Sequence, residues 1–246
     1  MNQVERQEEI LDLILHDKCG NVKELSSAVY ASPATIRRDL RALESKGLVR
    51  LQYGNIIPLA EMRKELPLAF RENQSKESKR NIARFAASLI TPNSSVMLDA
   101  SSSALYMADY IQPDSEITVF TNCIKTAIKL CENNVSVYIM GGKIHNRDFV
   151  TSGSWTETNV ESINVDYYFF SSKALDTNGD ISGESESGVH MRRRMLEHAS
   201  KQYFLCNYEK VGKKSTFWLC NASKLTGVIT DADLSDMPNI NAIRVP

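Results

Sequence analysis

From Lys76 onward the chain repeats one pattern, a short apolar run followed by an amphipathic stretch, and few folds accommodate it. The apolar runs at 96–100, 117–121, 135–140, 165–171, 202–206 and 227–230 are too short for helices and read as strands. Helical periodicity fills 76–90, 102–111, 123–133 and 184–200 between them. Strands that are apolar on both faces, alternating with helices, imply a mostly parallel sheet covered on both sides. Residues 76–246 are therefore expected to form an α/β domain.

The first 57 residues follow a different rhythm. Ile10, Leu11, Ile14 and Leu15 form one stripe that should end at Gly20, a residue suited to the left-handed position after a helix. Asn21 and Glu24 have capping-box spacing, with Val22, Leu25 and Val29 as the stripe of a second helix. Ser32-Pro33 opens a third, with serine as N-cap and proline where no amide donor is needed. Ile36, Leu40 and Leu43 give that helix its buried face, and Gly47 ends it. Val49, Leu51 and Tyr53 alternate before Gly54-Asn55, and Ile56-Ile57-Pro58 completes a small hairpin. Residues 58–75 are charged, carry Pro58 and Pro67 and show no clean period, so they read as a linker.

The formal net charge of the 246 residues is −1, so any nucleic-acid signal has to be local. It is. At about 100° per residue, Ala34, Arg38, Arg41 and Ser45 fall opposite the buried arc of the third helix, with Thr35 and Arg37 on the flanks. Between Ala34 and Arg50 five basic residues stand against two acidic ones, a local balance of +3. A helix docked by its apolar face and showing arginine on the other suits a DNA major groove. Helix, capped helix, basic third helix and hairpin, in that order, make a small α+β winged helix-turn-helix domain. Its candidate DNA contacts are Ser32, Ala34, Thr35, Arg37, Arg38, Arg41, Arg50 and Tyr53.

These residues carry a resemblance. Thr35-Ile36-Arg37-Arg38-Asp39-Leu40, followed by Leu43-Glu44 and Gly47, is similar to the recognition-helix signature of the DeoR family of bacterial transcriptional regulators. Arg50 through Gly54 resembles that family's wing, with Asn55 in place of a second glycine. Lys79 with Ile82-Ala83, Asp99 before a serine-rich loop, Thr121-Asn122, Gly141-Gly142, Gly153 and Ile229-Thr230-Asp231 then fall in the order of the family's sensor domain. The resemblance covers nearly the full length. It implies a cytoplasmic regulator, a homodimer or homotetramer bound to a double-stranded DNA operator, and a repressor of a sugar-metabolism operon.

Ligands of an open parallel sheet gather beyond the carboxyl ends of its strands. Those ends carry Asp99 with Ser101-Ser102-Ser103, Thr121-Asn122, Gly141-Gly142-Lys143, Ser171-Ser172-Lys173, Asn207 with Lys210, and Thr230-Asp231. Small, polar and cationic residues of this kind suit a hydroxylated anion such as a phosphorylated sugar. The resemblance implies the same ligand class, since sensor domains of this family are similar in fold to sugar-phosphate isomerases. The matching effector candidates are Lys79, Asp99, Ser101, Ser102, Ser103, Thr121, Asn122, Gly141, Gly142, Asn207 and Lys210. Two positions depart from the family pattern. Asn207 stands where an aspartate precedes the lysine by three residues, and the loop after Asp99 is all serine.

The competing class is a sugar-phosphate isomerase-like enzyme with an accessory DNA-binding module, for which Asp99, Glu184, Glu186 and Asp231 are the available carboxylates. Against it, no base with a positioned partner assembles from the sequence, and Asn207 cannot act as a carboxylate base. No catalytic residue, cofactor or metal site is expected. A third class keeps the DNA-binding module and uses the second domain for oligomerisation alone. With 42% hydrophobic and 24% charged residues the chain reads as globular. Its most apolar runs, such as 85–90, are far short of a membrane span. Five cysteines with no C-x-x-C spacing fit reduced thiols. Arg192-Arg193-Arg194 reads as an exposed helical face.

Overall fold

The computed structural model describes residues 3–15, 19–52, 55–59, 67–113, 116–145 and 148–246. The chain divides into two compact units, Met1–Asn73 and Gln74–Pro246.

In the first unit, α1 (Gln3–Leu15), α2 (Val22–Ala28) and α3 (Pro33–Ser45) precede an antiparallel pair, β1 (Val49–Gln52) and β2 (Asn55–Pro58). The caps are those the sequence calls for. Asn21 Oδ1 accepts from the Lys23 and Glu24 amides at 3.1 and 3.0 Å, and Ser32 Oγ accepts from the Thr35 amide at 3.2 Å. Gly47 takes a positive φ of 65°, and the Leu48 amide reaches back to Leu43 O at 3.0 Å, which closes α3 in a Schellman turn. Gly20 behaves differently from expectation. The first helix is described as far as Leu15, residues 16–18 lie outside the described residues, and the Gly20 amide donates to Glu24 Oε2 at 3.2 Å, which links this glycine to the start of α2. Tyr53 and Gly54, expected at the hairpin turn, lie outside the described residues.

One core holds the unit together, with Ile10, Ile14, Leu25, Ile36, Leu40 and Leu43 contributed by the three helices. It also takes in Phe70 from a short helix, α4 (Leu68–Arg71), in the stretch that reads as linker from sequence. Pro67 stands at the N-cap of α4, and the Lys46 ammonium sits 5.3 Å over the Phe70 ring. Leu68 and Phe70, both buried, give this short helix an apolar side that the linker reading does not foresee.

The second unit is built on seven strands: β3 (Ser95–Leu98), β4 (Thr118–Thr121), β5 (Ser136–Ile139), β8 (Val165–Phe170), β11 (Ala199–Cys206), β13 (Gly227–Thr230) and β14 (Ala242–Arg244). Their order is β14-β13-β11-β8-β3-β4-β5, and every pair is parallel. The mostly parallel α/β domain expected from the apolar runs is the observed one. Alternate residues serve opposite faces, as strand geometry requires. Val96, Leu98, Tyr167, Phe169 and Leu205 pack on the side of α5 (Lys76–Ser88), α6 (Ser102–Met107) and α7 (Ile124–Glu132). Met97, Tyr168, Phe170 and Phe204 pack on the side of α8 (Ser154–Glu161) and α9 (Glu186–Glu197). Aromatic rings run across neighbouring strands, with Phe169 and Tyr203 stacked at 5.3 Å.

Smaller pieces flank this sheet: a hairpin of β6 (Lys143–His145) and β7 (Val150–Ser152), and an antiparallel sheet of β9 (Ala174–Leu175), β10 (Asp180–Gly183) and β12 (Phe217–Asn221). From β3 the chain winds outward through β4 and β5. It then returns to lay β8 on the other side of β3 and winds away through β11, β13 and β14. The winding reverses between β3 and β8, and open parallel sheets tend to bind ligands beyond the carboxyl ends of such a pair.

Candidate DNA-facing helix and ligand site

On α3 the buried residues are Ile36, Leu40, Leu43 and, against expectation, Asp39. Asp39 is fully buried and faces α1, where Arg6 Nε donates to it at 2.6 Å and Gln7 Nε2 at 3.2 Å. Burial alone would raise its pKa. The bonds from Arg6 and Gln7 and the charges of Arg6 and Arg38 outweigh that and hold it below the ordinary carboxylate value. A residue that counts against the basic face in sequence is thus turned inward and neutralised. Glu44, the other acid, accepts the Leu51 amide at 2.8 Å and fixes α3 to the hairpin.

Outside, Ser32, Ala34, Arg37, Arg38, Arg41 and Arg50 are exposed and Thr35 is half-buried. Among the described residues Arg37, Arg38 and Arg41 make no ion pair. Three uncommitted guanidinium groups on one helix, behind a capped N-terminus, form a surface suited to phosphate and to guanine edges. Tyr53, the remaining candidate, lies outside the described residues.

In the second unit Asp99, just past β3, is the centre of a hydrogen-bonded cluster at the winding reversal. It is 2% exposed. Its Oδ1 accepts from the Ser101 amide at 3.0 Å, and its Oδ2 from Arg192 Nε at 2.8 Å and the Ser171 amide at 3.4 Å. The Lys210 ammonium donates to Ser171 Oγ, which in turn donates to Leu205 O at 2.5 Å. The ends of β3, β8 and β11 are joined in this way through Asp99, Ser171 and Lys210. Ser101 caps α6, its Oγ accepting from the Ala104 amide at 3.1 Å. Ser102 and Ser103 are buried beside it, and Lys79 on α5 is buried as well.

A second cluster lies past β4 and β5. Thr121 Oγ1 accepts from the Cys123 amide at 3.1 Å, and Asn122 Nδ2 donates to Thr151 O at 3.3 Å. Thr156 Oγ1 donates to Gly141 O at 2.7 Å. A Cβ on Gly142 would stand 2.2 Å from Thr156 Oγ1 and 2.8 Å from Ser152 O, so a side chain is excluded there by packing against α8.

Eight buried side-chain polar atoms of this unit have no hydrogen-bond partner among the described residues; three of them, Ser103 Oγ, Asn122 Oδ1 and Asn207 Oδ1, belong to effector candidates, and Tyr168 Oη is a fourth near Asp99. Asn207 spends its amide group on Glu209 at 3.4 Å and keeps its oxygen unengaged. Tyr168 sits behind the Asp99–Arg192 pair, where burial and then the Asp99 charge push its phenol well above the ordinary range. Orphaned buried polar atoms are rare in folded proteins and call for an explanation.

Arg192 is the residue that sequence reading misses. Of the three consecutive arginines, Arg192 holds Asp99, and Arg193 donates to Leu219 O at 3.1 Å and lies 5.3 Å from the Trp218 ring. Arg194 pairs with Glu161 at 2.5 Å. The reading of all three as one exposed face is therefore corrected for Arg192, whose side chain is 15% exposed. A signal exists in Gly188, one turn earlier on α9, where a Cβ would meet Arg192 Nη1 at 3.1 Å. Glycine inside a helix is costly unless a neighbour needs the space. The cysteines form no disulfide, and burial pushes the Cys206 and Cys220 thiols up to about 12. Among the described residues there is no metal-binding group of three ligands, and no helix long and apolar enough to cross a membrane.

Comparison with known proteins points the same way in both units. Residues 6–58 match the family model of the DeoR-like helix-turn-helix domain, and residues 74–232 that of the DeoR C terminal sensor domain. The HTH-type transcriptional regulator GlpR of Haloferax volcanii is 30% identical over 234 residues, 95% of this chain and 92% of that one. The L-fucose operon activator of Haemophilus influenzae is 31% identical over 234 residues, 94% of this chain and 93% of that one. The lactose phosphotransferase system repressor of Staphylococcus aureus is 27% identical over 237 residues, 94% of this chain and 93% of that one. All three are named as regulators.

Proposed function

This chain belongs to the DeoR family of transcriptional regulators, and from that premise we propose that it is the repressor of a sugar-metabolism operon, controlled by a phosphorylated sugar bound at the Asp99 cluster. The helix α3 enters the major groove, with Arg37, Arg38 and Arg41 supplying base and phosphate contacts and Ser32, Ala34, Thr35, Arg50 and Tyr53 completing the interface. A cytoplasmic homo-oligomer, dimer or tetramer, presents at least two such helices to its operator.

One observation carries the ligand reading. Ser103 Oγ, Asn122 Oδ1 and Asn207 Oδ1 are unpartnered buried polar atoms past the ends of β3, β4 and β11. At the same strand ends stand the cations Lys210, bonded to Ser171, and Arg192, bonded to Asp99. Oxygen acceptors beside cations match a molecule with several hydroxyl donors and one anionic group. Asn207, where the family pattern implied by the resemblance has aspartate, lowers the negative charge facing that anion. Effector binding changes operator affinity to the extent that the ligand prefers one arrangement of the oligomer.

The enzyme reading loses support from the same geometry. Asp99 is tied to Arg192, Glu184 to Lys173 at 3.0 Å, and Asp231 accepts the Tyr208 amide at 2.7 Å. None of these is a carboxylate poised to take a proton from a substrate.

The test is thermal unfolding of the purified chain against phosphorylated sugars and their unphosphorylated parents. A ligand at about a hundred times its dissociation constant adds roughly 2.7 kcal/mol, a shift of several degrees. A shift from one phosphosugar, absent with its parent and lost in Lys210→Ala, is expected. No shift across the panel removes the phosphosugar reading and leaves DNA binding standing.

A further inference from the structure

The unit has a second concavity, away from the Asp99 cluster. A cleft of about 700 Å³ opens between the β6–β7 hairpin, α8, α9 and β12, and none of the effector candidates lines it. Its size is that of a small-molecule site. We propose that it is a second ligand site, and that it takes an uncharged, polyhydroxylated ring compound, an unphosphorylated sugar.

Helix α9 separates the two sites. Glu186, Val189, His190 and Arg193 line the cleft within one arc of the helix, and Ser187 and Met191 extend the lining. Arg192, which holds Asp99, projects roughly 110° away from the middle of that arc at 100° per residue. The two sites therefore take different side chains from one helix.

Charge decides the ligand class. Among the described residues Arg193 is the only lysine or arginine lining the cleft, and its guanidinium is committed to Leu219 O, to Trp218 O and to the Trp218 ring. Two carboxylates, Glu157 and Glu186, face the same space. Among these described lining residues a phosphate group meets two carboxylates and no uncommitted lysine or arginine, a setting that favours an uncharged ligand. What it offers is hydrogen bonding around an apolar wall. Val189 and Met191 are buried in its floor, and Phe217 with the half-exposed Trp218 forms one side. The opposing rim carries two linked pairs: His145 Nε2 and Ser152 Oγ at 2.5 Å across the hairpin, and His190 Nε2 with Glu157 Oε1 at 3.9 Å between α9 and α8. Carboxylate and imidazole acceptors take sugar hydroxyls, while ring edges take the C–H face of the pyranose.

The experiment uses the full chain and a panel of uncharged monosaccharides, disaccharides and hexitols at millimolar concentration, with spermidine as a cationic probe. Thermal unfolding and calorimetric titration are read together. A neutral sugar is expected to raise the melting point, to bind about tenfold more weakly to Glu186→Gln and His190→Ala, and to add its shift to that of an effector phosphosugar. Both substitutions change exposed side chains, and circular dichroism checks that the fold persists. No response to any neutral sugar overturns the proposal, as does a response to spermidine alone. Binding that ignores both substitutions, or that a phosphosugar displaces, also overturns it, by moving the sugar to the Asp99 cluster. The neutral-sugar arms decide the question even where no phosphosugar binds, so failure of the effector reading is told apart from failure of this one.

Discussion

Arg192 donates its Nε to Asp99 Oδ2 at 2.8 Å across 93 residues of sequence, from the helix α9 to the end of the central strand β3. The contact ties α9 to the end of β3 and fixes the carboxylate that also accepts the Ser101 and Ser171 amides. A buried pair of this kind is weak as a source of stability, yet breaking it from one side leaves an uncompensated charge.

Arg192→Ala is therefore expected to destabilise the second unit by about 3 kcal/mol, read from urea unfolding followed at Trp155 and Trp218. Arg192→Met combined with Asp99→Asn should recover a large part of that loss. Equal stability of the single variant and the parent would show that Asp99 finds its compensation elsewhere.

The expectations that succeed from sequence do so where one periodic signal dominates. The strand runs are apolar on both faces, and Ser32-Pro33 and Asn21 announce their caps without competition. The failures have physical reasons as well. Helix α8 buries only Thr156 and Val160, one turn apart in a polar segment, so its period is too faint to read. The strands β6, β7 and β9 are two or three residues long and gain their order from neighbours. Asp39 and Arg192 both look like surface charges, since periodicity ranks residues by hydrophobicity and cannot foresee an ion pair that turns inward. The strand-end residues are legible as a set because parallel topology fixes their end of the sheet. That they divide into one cluster about Asp99 and another about Thr151 and Thr156 depends on side-chain geometry.

Acid should loosen the first unit through Asp39. Its folded pKa lies below the ordinary 3.8, so the stability it contributes is present in full above that value and is lost as pH falls through the folded pKa. Melting of the parent and of Asp39→Asn, followed from neutral pH down to about pH 2, should show the parent's advantage at neutral pH and its disappearance at the acid end. A constant difference between the two would detach Asp39 from the acid response.

Tyr30 occupies the turn between α2 and α3 at φ 51° with 97% of its surface exposed. A left-handed backbone is strained for tyrosine and open to glycine, and this side chain makes little contact to lose. Tyr30→Gly should raise stability by about 0.5–1 kcal/mol, seen as a higher urea midpoint with an unchanged slope.

Gly142→Ala should act in the opposite sense. The added methyl meets the buried Thr156 hydroxyl at 2.2 Å and the Ser152 carbonyl, so about 2 kcal/mol of overpacking is expected from thermal or urea unfolding. A neutral outcome would mean that α8 shifts freely, and that its packing does not hold the loop after β5.

The central claim is that α3 reads DNA through its uncommitted arginines. The direct measurement is the affinity of Arg38→Ala for an operator fragment selected by the parent chain, titrated at one moderate salt concentration beside the parent. Loss of a base or phosphate contact predicts binding weaker by about tenfold or more, with the fold retained, since Arg38 is exposed and lends Asp39 only the last of the charges that steady it. Equal affinity of the two proteins for that fragment would contradict the account.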